Sequence, residues 1–136
     1  MAHGYRHTDF LKELDGARSL LRSAGIELQQ SVETMPRAWQ EPAAWIVRES
    51  VTNVLRHSSA QLVDIAYAQG QLTVGNDHAH AGEPSDGAGL RGLRERLSPL
   101  GASLVAGPDG DDRWAVVAQL PGTGPLSATR MKGSQA

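Results

Sequence analysis

From Thr8 to Ala24 the apolar residues recur at steps of three and four: Phe10, Leu14, Ala17, Leu21 and Ala24, with Leu11 and Leu20 beside them. That period predicts an amphipathic helix, and Gly25 follows where a left-handed residue would stop it. The period then falls to two, and Ile26 to Val32 reads as a short edge strand. Pro36 and Pro42 frame the approach to a second helix, whose first turn tolerates Pro42. Ala43, Ile46, Val47, Val51, Val54 and Leu55 give that helix a broad apolar face. Two strands follow, one with Val63, Ile65 and Tyr67 on a face and one with Leu72 and Val74, joined by Gln69-Gly70-Gln71 as a hairpin connection. His78 to Ala88 is a loop of Gly, Pro, Ser and Asp. Leu90 to Leu100 repeats at helical spacing, and Leu104–Ala106 and Trp114–Leu120 form a last strand pair around Pro108-Asp109-Gly110.

Helix, strand, helix, two strands, helix, two strands: this order predicts an α/β two-layer sandwich. Residues 1–25 are expected to be a leader and connecting helix, 26–121 the main domain and 122–136 a disordered tail of small and polar residues. The chain of 136 residues is long enough for one core without staples. It has no cysteine, which excludes a disulfide framework and any cysteine-bound zinc and fits a reducing compartment. A net charge of −2 sets up no global field for nucleic acid or an anionic membrane. No apolar run reaches the length of a span, so a soluble, cytoplasmic chain is expected, whatever anchors a larger parent.

Three stretches carry candidate chemistry. On the second helix, Glu49, Asn53, Arg56 and His57 fall at i, i+4, i+7 and i+8, on one side. The stripe presents a carboxylate that can orient a nucleophile, an amide oxygen suited to magnesium, and two groups that can hold phosphate oxygens. A solvated helix face has the same pattern. Further on, Gly87, Gly89 and Gly92 stand where the loop becomes a helix, and a bare backbone at a helix N-terminus admits phosphate. The GxGxxG spacing lacks the preceding βαβ context of a dinucleotide site, and a loop needing unusual backbone angles would also use it. Finally, Asn76-Asp77 ends a strand, where an amide or carboxylate can accept from a base amine and where turn formers also gather.

In chain order these stretches resemble the N box and the two glycine boxes of histidine kinases, with the loop between them resembling the ATP lid. RESVTNVLRHSSA followed by GAGLRGLRERL is similar to the DesK/NarX-type subfamily, and the resemblance runs over roughly residues 5 to 121. It implies the Bergerat (GHKL) fold, a mixed and mostly antiparallel sheet with helices packed on one face. Residues 26–121 would then be an ATP-binding catalytic domain, with ATP and Mg2+ as cofactors. Asn53 would ligate magnesium, Glu49 would be the polarising carboxylate, and Arg56 and His57 would lie near the phosphates. Gly87 and Gly89 would let the lid close over the phosphates, and Leu90 would be a further nucleotide-binding residue. Asn76 takes the family's adenine-reading aspartate position by register, and His78 then stands where the family has glycine; by residue type Asp77 is the reader instead, and Ala79 then replaces the glycine. Arg113-Trp114 replaces the family's Gly-Thr. The implied partners are ATP/ADP, a dimerisation and phosphoacceptor domain expected outside this chain, and indirectly a response regulator; the isolated domain would be a monomer. His3, His7, His57, His78 and His80 all lack the phosphoacceptor setting, and the His78/His80 pair reads as a solvated loop rather than a metal site. The same residues leave open a regulatory module that holds nucleotide weakly and docks a partner, as a degenerate relative or an anti-sigma-factor-type kinase would.

Overall fold

The computed structural model describes residues 10–79, 87–122 and 124. Helix α1 spans Phe10–Ser23 and buries Phe10, Leu14, Ala17 and Leu21, the expected face; its expected start at Thr8 lies outside the described residues. Gly25 ends it at φ +79, a conformation an L side chain adopts only with strain, and the Ile26 N–H returns to the Leu21 carbonyl at 2.8 Å. Strand β1 is Glu27–Val32. A short 3-10 turn, Arg37–Trp39, precedes helix α2, Gln40–His57. That turn went unread in the sequence, yet it buries Trp39 completely, and the Trp39 Nε1 donates to the Pro121 carbonyl at 3.2 Å. This bond ties the end of the last strand to the head of α2.

Strands β2 (Leu62–Ala68) and β3 (Gln71–Asp77) form a hairpin. Its two-residue turn is Gln69-Gly70, both at positive φ, while Gln71 already pairs with Ala68 as the first residue of β3. Helix α3 is Ala88–Leu97, shorter than the expected run to Leu100. Pro99 has no N–H to continue the ladder, so Ser98–Leu100 tightens into a 3-10 turn that Gly101 closes. Strands β4 (Ser103–Pro108) and β5 (Arg113–Gln119) complete the fold.

The sheet runs β1-β2-β3-β5-β4, with β1 parallel to β2 and the other pairs antiparallel. It is the mixed, mostly antiparallel sheet of an α/β sandwich, and β1 is an edge strand as expected. Alternation along the strands sorts the side chains into two faces. One face carries three rows across the sheet: Leu28–Val63–Asn76–Trp114–Pro108, then Gln30–Ile65–Val74–Val116–Ala106, then Val32–Tyr67–Leu72–Ala118–Leu104. Most of these residues join the helix faces in one apolar core, with Ile46, Val47, Leu93 and Leu97 from α2 and α3. On the other face Arg113 reaches over Gly75 to Asp64, Nη2 to Oδ1 at 2.6 Å. Among the described residues no helix is long and apolar enough to cross a membrane.

Candidate functional site

One face of α2 stays open to a cavity of about 100 Å³. Ser50, Asn53, Val54, His57 and Ser58 line it at i, i+3, i+4, i+7 and i+8, the spacing of neighbours along one helix face. Val74 and Asn76 of β3 and Trp114 and Val116 of β5 form the facing wall, and Gly87, Leu90 and Ala79 complete the rim. Apolar walls with a few polar groups suit a flat heterocycle with one hydrogen-bonding edge.

At the deep end, Asn76 is only 4% exposed. One N–H of its Nδ2 donates to the Asp77 carbonyl at 2.9 Å, which fixes the amide's orientation and leaves Oδ1 as an acceptor. Asp77, next along the strand, points elsewhere. Its Oδ1 accepts from the Gln61 and Leu62 N–H groups at 2.8 and 3.0 Å, and its Oδ2 pairs with His78 Nδ1 at 3.2 Å. Burial pushes the Asp77 carboxyl up, but the two backbone N–H bonds and His78 together outweigh it and hold the carboxyl below its usual range. The sequence left Asn76 and Asp77 as alternative base readers; here Asn76 faces the cavity and Asp77 binds the head of β2. His78 stands at φ +50, so the left-handed backbone expected of a glycine there is kept by a histidine. Trp114, paired with Asn76 across β3 and β5, offers an aromatic face beside it.

At the other end, α3 begins at Ala88 after Gly87, with no side-chain cap and no acidic residue in its first turn. The dipole of that first turn favours an anion there, and among the described residues no side chain caps it. The Glu49 carboxylate lies against Gly89, where a methyl group would overlap it. The expected site residues thus divide. Asn53, His57, Asn76, Gly87 and Leu90 share the cavity; Glu49 and Gly89 meet at its edge; Arg56 is exposed and outside the lining, and Asp77 is outside it too. His80 and lid residues 81–86 lie outside the described residues. Sequence reasoning missed Ser50, whose signal was its place three residues before Asn53. The resemblance marked Arg113-Trp114 only as the place where a hydroxyl near the adenine pocket is lost; that Trp114 itself forms a cavity wall follows from the β3–β5 pairing that brings it to Asn76.

For magnesium, the fit can be tested on Asn53. It is half-buried, its amide has no hydrogen-bond partner among the described residues, and an amide oxygen is a hard ligand. No group of three His, Asp or Glu side chains converges among the described residues. The donor set therefore fits a cation that takes one protein oxygen and completes its shell with phosphate oxygens and water.

No family model and no curated protein matches the chain. Among solved structures it is similar to the catalytic domain of the histidine kinase ThkA, with a TM-score of 0.62 at 10% identity over 88% of this chain and 97% of that one. The fold is that of histidine-kinase catalytic domains. The ATP-binding domain of PrrB from Mycobacterium tuberculosis gives 0.54 at 18% identity, covering 85% of this chain and 95% of that one. The histidine kinase domain of the Erythrobacter litoralis blue-light activated kinase gives 0.59 at 20%, covering 77% of this chain; the chain spans 59% of that domain's length. At these identities the likeness is one of architecture: the five-stranded mixed sheet with three helices.

Proposed function

We propose that this chain is the ATP-binding catalytic domain of a two-component sensor histidine kinase of the DesK/NarX type. It would transfer the γ-phosphoryl of Mg-ATP to a histidine on a dimerisation and phosphoacceptor segment. The observation that carries this reading is the cavity itself. It is a largely apolar slot lined by the buried amide of Asn76, by Asn53, and by Gly87 and Leu90 at the N-terminus of α3. A base in the slot would send its phosphates toward that N-terminus.

In this reading Asn76 accepts from the adenine amine and Trp114 and Leu90 flank the ring. Asn53 holds magnesium, which when bound neutralises phosphate charge. His57 reaches phosphate oxygens from the cavity, and Arg56 does so from the exposed side of α2. Gly87 and Gly89 let the lid backbone approach, and Glu49 is the polarising carboxylate. Phosphoryl transfer then needs positioning more than covalent chemistry from the protein. The parent is proposed to work in the cytoplasm, with a response regulator as the onward acceptor; the isolated domain is proposed to be a monomer without affinity for nucleic acid.

The test mixes the domain with a phosphoacceptor segment and ATP labelled at the γ-phosphate. Acid-labile, base-stable label on the segment is the expected result. His78 in a glycine-type conformation favours a second reading, a regulatory module that holds nucleotide without transferring it. Nucleotide binding with no label on any phosphoacceptor segment would select that module and reject the kinase.

A further inference from the structure

Two polar side chains are buried among the described residues, Ser50 at 2% exposure and Asn76 at 4%, and both line the same cavity. Their states differ. Asn76 is held by one N–H of its Nδ2 on the Asp77 carbonyl and has its Oδ1 to offer as an acceptor. The Ser50 Oγ has no hydrogen-bond partner at all, and no other buried side-chain nitrogen or oxygen among the described residues shares that condition.

A serine inside a helix ordinarily satisfies its hydroxyl on the carbonyl four residues back. Other hydroxyls of this chain do so: Thr52 donates to the Arg48 carbonyl at 2.9 Å, Ser58 to Val54 at 2.9 Å and Ser23 to Ser19 at 3.1 Å. Ser50 makes no such bond with Ile46. An unpaired hydroxyl in an apolar setting is costly to keep, and alanine would fill the same volume without that cost. The cavity that it lines has Val54, Val74 and Val116 among its walls, whose side chains supply no polar partner, and none of the polar lining residues bonds to it. A group that enters the cavity can supply the partner, and Ser50 needs only a turn about χ1 to meet it.

Resting on the nucleotide reading above, we propose that Ser50 is a second specificity-determining residue for the base. Asn76 Oδ1 accepts from an exocyclic amine, and the Ser50 hydroxyl donates to the ring nitrogen beside that amine. The pair selects an amine-plus-ring-nitrogen edge, the edge of a 6-aminopurine. Asn76 alone would require only an amine; Ser50 adds the demand for an adjacent acceptor nitrogen.

The experiment is a calorimetric titration of the wild-type domain and Ser50→Ala with ADP, 7-deaza-ADP and 1-deaza-ADP, each analogue lacking one ring nitrogen next to the amine. Ser50→Ala is expected to bind ADP about five- to tenfold more weakly, the worth of one hydrogen bond. Wild type is expected to lose a similar factor with one deaza analogue, and Ser50→Ala to lose nothing further with that analogue. A purely structural serine would not produce this non-additivity. Ligand-free Ser50→Ala is expected to melt at or above the wild-type temperature. ADP affinity within twofold of wild type, equal deaza penalties in both proteins, or a lowered melting temperature of the free variant would each overturn the proposal. Failure of the wild type itself to bind ADP would reject the nucleotide reading first, and this inference with it.

Discussion

Asp77→Asn separates the two residues that the sequence offered as base readers. The β2–β3 ladder ends at the pair Val63–Asn76, so the N–H groups of Gln61 and Leu62 lie beyond it on that side. The Asp77 carboxylate takes both, at 2.8 and 3.0 Å. An asparagine oxygen can accept the same two bonds, so toward β2 the substitution removes charge rather than geometry, while the Oδ2 acceptor that faces His78 Nδ1 becomes an NH2 group. Bonds to a charged acceptor contribute about 1.5–3 kcal/mol each and neutral ones about 0.5–1.5, a difference near 1 kcal/mol per bond. The Asp77 side chain is 26% exposed, and solvent screening reduces the total to roughly 1–1.5 kcal/mol. With a urea m-value of about 1.5 kcal/mol/M for a domain this size, the midpoint should fall by roughly 0.7–1 M at pH 7 with m unchanged. The pH dependence has a definite sign. The folded carboxyl is held below its usual range, so the unfolded chain takes up the proton first. The contribution is full above the ordinary carboxyl pKa of about 4 and disappears as pH falls through the lower folded value. Wild type should therefore lose stability in acid more steeply than Asp77→Asn, until the two curves meet. ADP affinity should stay within twofold. A variant with wild-type urea stability and lost ADP binding would refute the argument and make Asp77 the base reader.

Three further outcomes follow from the same geometry. Asn53→Ala should weaken Mg-ADP binding roughly tenfold or more, for one lost charge-assisted contact, with the melting temperature of the free protein unmoved; equal affinity with and without the side chain would remove the magnesium role. Trp114→Ala should weaken ADP by about 1–3 kcal/mol, the worth of one aromatic–base contact, and ADP should quench tryptophan fluorescence in wild type more than in the variant. His78→Gly should relieve a left-handed strain of about 1–2 kcal/mol while losing the half-exposed contact of His78 Nδ1 with Asp77 Oδ2, worth about 0–1; the thermal midpoint should rise by a few degrees, and a fall would mean that the Asp77 contact dominates.

Much of this site could be read from local patterns. The 3.6-residue period placed Asn53 and His57 on one side of α2, and both stand in the cavity. The glycines at 87 and 89 announced a bare helix start, and α3 begins there without a cap. These are facts about neighbours in the chain, where the side-chain period and the backbone conformation are nearly independent of the rest of the fold. Arg56 shows the limit of that reasoning. Seven residues after Glu49 it shares the helix side, but the side of a helix is wider than the cavity, and packing left Arg56 in solvent.

The base end of the cavity depended on tertiary structure. Whether Asn76 or Asp77 turns inward is settled by strand parity, because a shift of one residue exchanges the faces. The parity is set by the pairing of Asn76 with Val63 on one side and Trp114 on the other. Trp114 lies 38 residues beyond Asn76 in the chain and reaches it only because β5 inserts between β3 and β4 in the sheet. Glu49 meets Gly89 across two helices that only a shared core brings together. The unpaired hydroxyl of Ser50 is the clearest case. The sequence shows a serine on a helix face, and burial beside apolar walls is what makes its missing partner a property of the site.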